Sequence, residues 1–404
     1  MQSFDRRSFL KTSTTALSIL PFLSLLSACK KKDSSPFKIG FLTPKTGNDA
    51  QAGLSCERGA KIAESFLREL GLEASLTIVD TESNIETGRI KAEKLIQNGA
   101  HCLVGAFNSA VSSVIAQVAN NYSIPYIIDL SVADQLTEQN QKFTFRNFPS
   151  ATIIGEQSIN NLQSLFKENA IEFKTATLLV LNDAYGQAEL NTFNKNRDLL
   201  PFEIEEVIQF DYKAKDLSSE IFKVKKINSD VLIVISRSNT TNIIVKELIV
   251  QNHNPKLIIG PANQGFFEKQ FFNNFKEKSD NLYTIHAWLD SSSKLTSLAS
   301  KLFYKEFPDE IFELNAAFSL EAIYIAALAF KMAQSTKGED LRHALSIMNE
   351  PEKLMHGNNI SFDEKGQRQT LKLVTLMNRN EKTYIVHPKE YKEIDAVLPF
   401  PGFG

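Results

Sequence analysis

The chain has 404 residues, with 45 Lys and Arg against 47 Asp and Glu and a formal charge of −2. That length suffices for two domains of ordinary size, and the near balance of charge argues against a nucleic-acid surface.

Asp5-Arg6-Arg7-Ser8-Phe9-Leu10-Lys11 is a basic start that resembles a twin-arginine export signal, with Asp5 where Ser or Thr is more usual. Thr12 to Ala28 is apolar but carries Ser and Thr, and it falls short of the roughly 20 apolar residues that span a bilayer. A basic start, a short apolar stretch and small residues before a cut site describe a signal peptide over 1–28 rather than an anchor helix. Leu26-Ser27-Ala28-Cys29 resembles the lipobox of bacterial lipoproteins, which implies that the Cys29 thiol takes a diacylglycerol and becomes the new N-terminus. Several acyl chains, at roughly 0.8 kcal/mol per buried methylene, hold firmly. The plainer alternative is an ordinary secretory signal with a chance cysteine. Lys30 to Pro36 then reads as a tether, and the folded part is expected to begin near Phe37. Residues 1–28 contribute +2, which leaves −4 for the remainder. Cys56 and Cys102 are expected as two separate buried thiols, although the compartment permits a bond between them. No later apolar run is expected to reach membrane length.

Short apolar runs at 37–42, 75–80, 101–105 and 125–129 read as buried strands, with helical patterns near 52–70, 86–98 and 110–121 between them. The second half repeats this, with strands at 175–182, 230–236 and 256–260 and helices near 152–168, 186–197, 216–227 and 240–252. Strand, helix, strand at this spacing predicts right-handed βαβ units and parallel sheets in two doubly wound lobes. A further strand is expected at 282–289. The segment 315–334 is apolar almost all round and predicts a buried helix; a second helix is expected near 339–348, and a turn leading into a strand over 360–378. Elements added after both lobes are complete suggest that the chain crosses back. The expected division is 37–151 plus 283–355 for the first lobe and 152–282 plus 356–404 for the second.

Ligands on open parallel sheets bind outside the carboxyl ends of the strands, so the polar residues that follow each strand are the candidates. Asn108 or Ser109 can cap the next helix, whose first-turn amides attract anions. Ser131 either reaches the cleft or orders its turn. Tyr185, before a glycine at a helix start, either stacks on a ligand or packs. Arg237 at a strand end has a partner or is solvated. Pro261-Ala262-Asn263-Gln264-Gly265 is a turn with two amide side chains, of which Asn263 is the candidate.

These segments together resemble the periplasmic binding proteins of the branched-chain amino acid (Leu/Ile/Val) type, the substrate-binding subunits of ABC importers. "IGFLTPKTG" (39–47), "GLSCERGAKIAESF" (53–66), "VDTESN" (79–84), "AEKLI" (92–96), "LVGAFNSAVSS" (103–113), "NDAYGQ" (182–187) and "FDEKGQ" (362–367) fall in the family's order and spacing, over about 37 to 378. The resemblance implies a type I fold of two Rossmann-like lobes joined by a multi-strand hinge. It puts Ser109 at the position of the ligand carboxylate and Tyr185 over the ligand. Two positions depart from the amino-acid binders: Val132 stands for a threonine and Ala262 for an acidic residue that balances the ligand ammonium.

The function implied is a lipid-tethered periplasmic or cell-envelope receptor, a monomer that closes a hinge around a small polar or anionic solute and delivers it to ABC permease subunits. No cofactor and no metal are implied. The expected anion would lie between the turn at Asn108-Ser109 and Arg237. The rival is a non-transport lipoprotein of the same fold that binds a protein partner such as a cell-wall synthase, or acts as a sensor. Enzymatic function finds little support, since the six histidines lie in unrelated contexts and no HExxH, GxSxG or paired metal-ligand spacing appears.

Overall fold

Residues after Lys38 in the first strand are all buried, which is the pattern of a parallel strand covered on both faces. The computed structural model describes residues 36–139 and 141–404. The twin-arginine segment, the Leu26–Cys29 stretch and the tether up to Ser35 lie outside the described residues. From there the chain runs β1 (Lys38–Thr43), α1 (Ala50–Glu69), β2 (Ser75–Asp80), α2 (Ile85–Gln97), β3 (Cys102–Gly105), α3 (Ser109–Asn121), β4 (Tyr126–Ile128), the short α4 (Gln135–Glu138) and β5 (Thr144–Arg146). The five strands pair in parallel in the order β2-β1-β3-β4-β5.

The second lobe repeats the winding with α5 (Ala151–Glu168), β6 (Thr175–Leu181), α6 (Ala184–Lys195), β7 (Glu203–Phe210), α7 (Ser218–Ile227), β8 (Val231–Ile235), α8 (Ser238–Val250), β9 (Leu257–Pro261), α9 (Lys269–Phe275) and β10 (Tyr283–Ala287). The chain then forms α10 (Lys294–Glu306), α11 (Leu314–Ala333) and α12 (Gly338–Ser346) before β11 (Leu373–Arg379) and β12 (Lys382–His387). The second sheet has seven strands, β12-β11-β10-β9-β8-β6-β7, in which β11 alone runs against the others, pairing antiparallel with both β10 and β12.

Helices α10 and α11 pack against α1 of the first lobe. A Cβ on Gly59 of α1 would fall 2.0 Å from the Ala316 carbonyl oxygen, so the helix backbones meet where only glycine fits. All of Leu314 to Ala329 is buried, as a helix apolar on every side requires. Its 20 residues are long and apolar enough to cross a membrane by length and composition, which corrects the expectation that no later run reaches that length. Most of α11 is nonetheless enclosed by the protein, against α1, β3 and β4. A second correction concerns the return: β10 pairs with β9 in parallel and with β11 antiparallel, so 283–287 belongs to the second sheet and the chain returns only beyond it. Cys56 and Cys102 are both buried and unbonded.

Three segments cross between the lobes, and they pair with one another. Arg146 N donates to Gly366 O at 2.8 Å, Arg368 N to Arg146 O at 3.1 Å, and His356 N to Trp288 O at 2.9 Å. Charged side chains fill the junction. Arg368 Nη1 donates to Glu321 Oε2 at 2.7 Å, with both side chains at 0% exposure. Glu321 also accepts from Asn147 Nδ2 at 3.0 Å and from Leu354 N at 2.7 Å. The buried Arg146 donates to Gln367 Oε1 and to the Ala133 carbonyl.

Candidate functional site

The carboxyl ends of β3, β4, β6, β8 and β9 deliver their following residues to one small cavity between the lobes. Its apolar wall is made by Phe107, Leu130, Val132, Phe148, Tyr185 and Ala262, and its polar wall by Ser109, Ser236, Arg237, Ser238 and Gln264. The cavity volume is about 20 Å³, little more than a single water requires. Phe107 on the first lobe and Ala262 on the second both take left-handed backbone, with φ of 66° and 50°. Non-glycine residues hold that conformation only where their surroundings impose it, and such positions gather at binding sites.

Of the residues read from the sequence, Ser109, Tyr185 and Arg237 line this cavity, whereas Asn108, Ser131 and Asn263 are engaged behind it. Asn108 caps α3, accepting from the amides of Ala110 at 3.0 Å and Val111 at 3.3 Å, and donates to Asp49 Oδ2 at 2.9 Å. Ser131 Oγ lies 2.6 Å from Ser112 Oγ and donates to the Phe107 carbonyl at 2.9 Å. Asn263 Oδ1 accepts from Gly265 N and Thr241 Oγ1, both at 3.0 Å, and Nδ2 donates to Val234 O at 3.1 Å. Ser109 faces the cavity from the first turn of α3, with Ala133 N 3.4 Å from its Oγ.

Tyr185 owes its position to two local features. Asp183 caps α6 through Gly186 N at 2.8 Å, and a Cβ on Gly186 would sit 1.8 Å from the Leu181 carbonyl, so the helix begins tight against the end of β6. Arg237, between β8 and α8, lays its guanidinium over the ring of Tyr185 at 4.9 Å and over that of Phe107 at 5.5 Å. Its Nη2 is 3.1 Å from Asp183 Oδ2, and its Nε is 3.9 Å from Asp49 Oδ1. Burial alone would lower the arginine pKa, but the Asp183 and Asp49 carboxylates outweigh it and raise the pKa above its ordinary value. One guanidinium facing two carboxylates offers no free positive charge, so the anion expected between Asn108-Ser109 and Arg237 has no unpaired cation to meet.

Val132 and Ala262 both face the cavity, and neither offers a hydroxyl or a carboxylate there. Behind the polar wall, Ser238 Oγ donates to Glu268 Oε1 at 2.6 Å, and burial pushes the Glu268 carboxyl up to about 8. His286 is packed against Phe148 and Phe267, and burial lowers its pKa to about 3. Sequence reasoning missed Phe107, Leu130, Phe148, Ser236, Ser238 and Gln264 as cavity residues. A signal existed for three of them, since Ser236 and Ser238 flank Arg237 and Gln264 adjoins Asn263 at strand ends that had already been singled out.

Two parallel α/β lobes, crossed three times and meeting over a small mixed cavity at their strand ends, define a type I binding protein. The chain belongs to the periplasmic binding protein family, which it matches over residues 36–378. The Leu/Ile/Val-binding protein homolog 1 of Brucella abortus (strain 2308) is 24% identical over 340 residues, covering 81% of this chain and 86% of that protein. Among solved structures, the branched-chain amino acid substrate-binding protein LivJ of Streptococcus pneumoniae, in complex with isoleucine, aligns with a TM-score of 0.75 at 19% identity, over 88% of this chain and all of that one. A solute-binding protein of an ABC transporter from Rhodopseudomonas palustris, in complex with benzoate, aligns with a TM-score of 0.74 at 17% identity, over 89% of this chain and 99% of that one. The family consists of extracytoplasmic solute-binding proteins, not enzymes, and its members normally work with ABC permeases.

Proposed function

We propose that this chain is the lipid-anchored solute-binding subunit of an ABC importer, tethered through Cys29, with the solute held in the cleft between the lobes. The observation that carries this reading is the convergence of Ser109, Tyr185, Arg237, Ser238 and Gln264 from both lobes on one cavity at the strand ends. The cavity is too small for any solute beyond a water, so binding requires the lobes to part and close again, a hinge motion about the three crossings. The mixed wall suits a small solute with an apolar body and one polar group. Relatives of this fold carry isoleucine in one case and benzoate in another, so the fold alone does not choose the solute. Val132 and Ala262 argue against a plain α-amino acid, because an ammonium enclosed without a carboxylate partner is costly.

A second reading is favoured by one observation. Arg237 already fills the space between the Phe107 and Tyr185 rings and already has its carboxylates, as a cleft without a solute would. That suits a non-transport lipoprotein that meets a protein partner, or a sensor. A thermal-shift screen of amino acids, carboxylates, amides and small peptides separates the two. A solute whose stabilisation disappears in Val132→Trp, whose ring overfills the cavity and keeps the lobes from closing on a solute, supports the receptor. A complete absence of shifts favours the partner-binding lipoprotein.

A further inference from the structure

Gln264 opens the short 3-10 turn Gln264–Phe266 that follows β9. It is only 9% exposed, and it lines the cavity. Its Oε1 is enclosed without a hydrogen-bond partner among the described residues. Buried amide oxygens are nearly always paired, and one left open beside a cavity marks a place where a donor arrives. The turn that carries it is rigidly built. Asn263 ties it to Val234 and Thr241, Ala262 enters it with left-handed backbone, and a Cβ on Gly265 would lie 2.7 Å from Thr241. Gln264 is therefore placed in advance rather than left to find its partner.

The charges around the cavity favour a neutral solute. Arg237 is the wall's only cation among the described residues, and it faces Asp49 and Asp183. Ser238 has its hydroxyl proton directed to Glu268. Among the described residues, the wall offers no unpaired cation to an incoming anion.

We propose that Gln264 is the specificity-determining residue of the cleft and that it reads a neutral amide, lactam or urea group on the solute, its Oε1 accepting the solute N–H and its Nε2 donating to the solute carbonyl. This rests on the reading of the cleft as a solute site. An amide offers a donor and an acceptor side by side and so pairs with both ends of a glutamine. A carboxylate offers acceptors only, and it would meet Oε1 lone pair to lone pair. A site built to hydrogen-bond a group rejects the analogue that lacks it. The solute's apolar body lies against Phe148, Leu130 and Val132.

The test uses matched pairs, isovaleramide with isovalerate and benzamide with benzoate, titrated calorimetrically into the full chain in detergent. At least one amide is expected to bind tenfold or more tighter than its acid. Gln264→Leu is expected to lose about tenfold of that affinity, and the isosteric Gln264→Glu to lose it as well, with melting temperatures unchanged. An acid that outbinds its amide, an amide unaffected by both variants, or no binding by any of the four probes overturns the proposal. Val132→Trp keeps this failure separate from failure of the cleft reading. Acid binding that Val132→Trp abolishes leaves the cleft standing while removing Gln264 from its role, whereas binding that survives Val132→Trp counts against the cleft itself.

Discussion

Arg237 Nε stands 3.9 Å from Asp49 Oδ1, and the two residues belong to opposite lobes. The arginine comes from the turn between β8 and α8, the aspartate from the start of α1. One residue pair away, Asn239 Nδ2 donates to the Asn48 carbonyl at 2.9 Å, again across the cleft. The guanidinium also covers Phe107 of the first lobe. The lobes are thus held together by protein groups at the mouth of the cleft, independently of any solute.

Arg237→Ala is accordingly expected to favour the open form. A desolvated cation–π contact is worth about 2 kcal/mol, which shifts the closed-to-open ratio roughly thirtyfold. Small-angle scattering should show a larger radius of gyration for the variant than for the native chain, both without solute. An unchanged radius would show that other contacts hold the lobes.

Stability should fall as pH rises from 6.5 to 8. Burial holds the folded Glu268 carboxyl at about 8, whereas an unfolded glutamate titrates near roughly 4.3. Between those values the folded chain binds a proton that the unfolded chain has lost. Stability from this group is complete at low pH and declines as pH climbs, by up to about 1.4 kcal/mol per unit. Asp129, pushed by burial to about 6, acts with the same sign but lower in pH. His286, lowered by burial to about 3, acts with the opposite sign below about 6.5, which is why the test window starts there. Glu268→Gln should flatten the dependence of the melting temperature between pH 6.5 and 8 by about one proton's worth. A variant as steep as the native chain would place the titration elsewhere.

Removing one member of the Arg368–Glu321 pair should destabilise the fold by about 3–5 kcal/mol, because the survivor is left buried and charged. Arg368→Ala and Glu321→Ala, measured by urea unfolding, should each show this loss, and the double variant should lose less than the two combined. Additive losses would mean that the contact at 2.7 Å carries little coupling.

Cys29→Ala should leave the chain uncleaved or soluble when it is expressed in a lipoprotein-processing host. A variant that still partitions into detergent with the mobility of the mature form would remove the lipid from Cys29.

Most of the parallel strands were legible because burial on both faces writes itself as short, unbroken apolar runs, as in 175–181 and 231–235, and most helices between them followed, although α9 and α10 were not read. Three strands left no such mark. β5 has only three residues, and β7 at the sheet edge mixes exposed charged and polar residues with buried apolar ones, as a strand with one open face does. β12 pairs only with β11 and begins with an exposed lysine. In the site, Tyr185 and Arg237 were readable as polar groups at strand ends, but their contacts were not. The pairing of Arg237 with Asp49 joins positions 188 residues apart, and no local pattern encodes it. Gln264 and Asn263 look equivalent in the sequence. Only the turn decides that Asn263 holds the backbone while Gln264 meets the cavity.

The interleaving of the chain has a consequence for its synthesis. The first lobe opens at β1, yet α1 is covered by α10 and α11, which the ribosome reaches some 250 residues later. The second sheet waits for β11 and β12, and Glu321 waits for Arg368. Neither half can mature while the other is still being made, in contrast to chains whose domains fold one after another as they emerge. A nascent chain that stops short of residue 368 would hold two unfinished lobes with their apolar helices uncovered, and it would depend on chaperones until the final residues arrive.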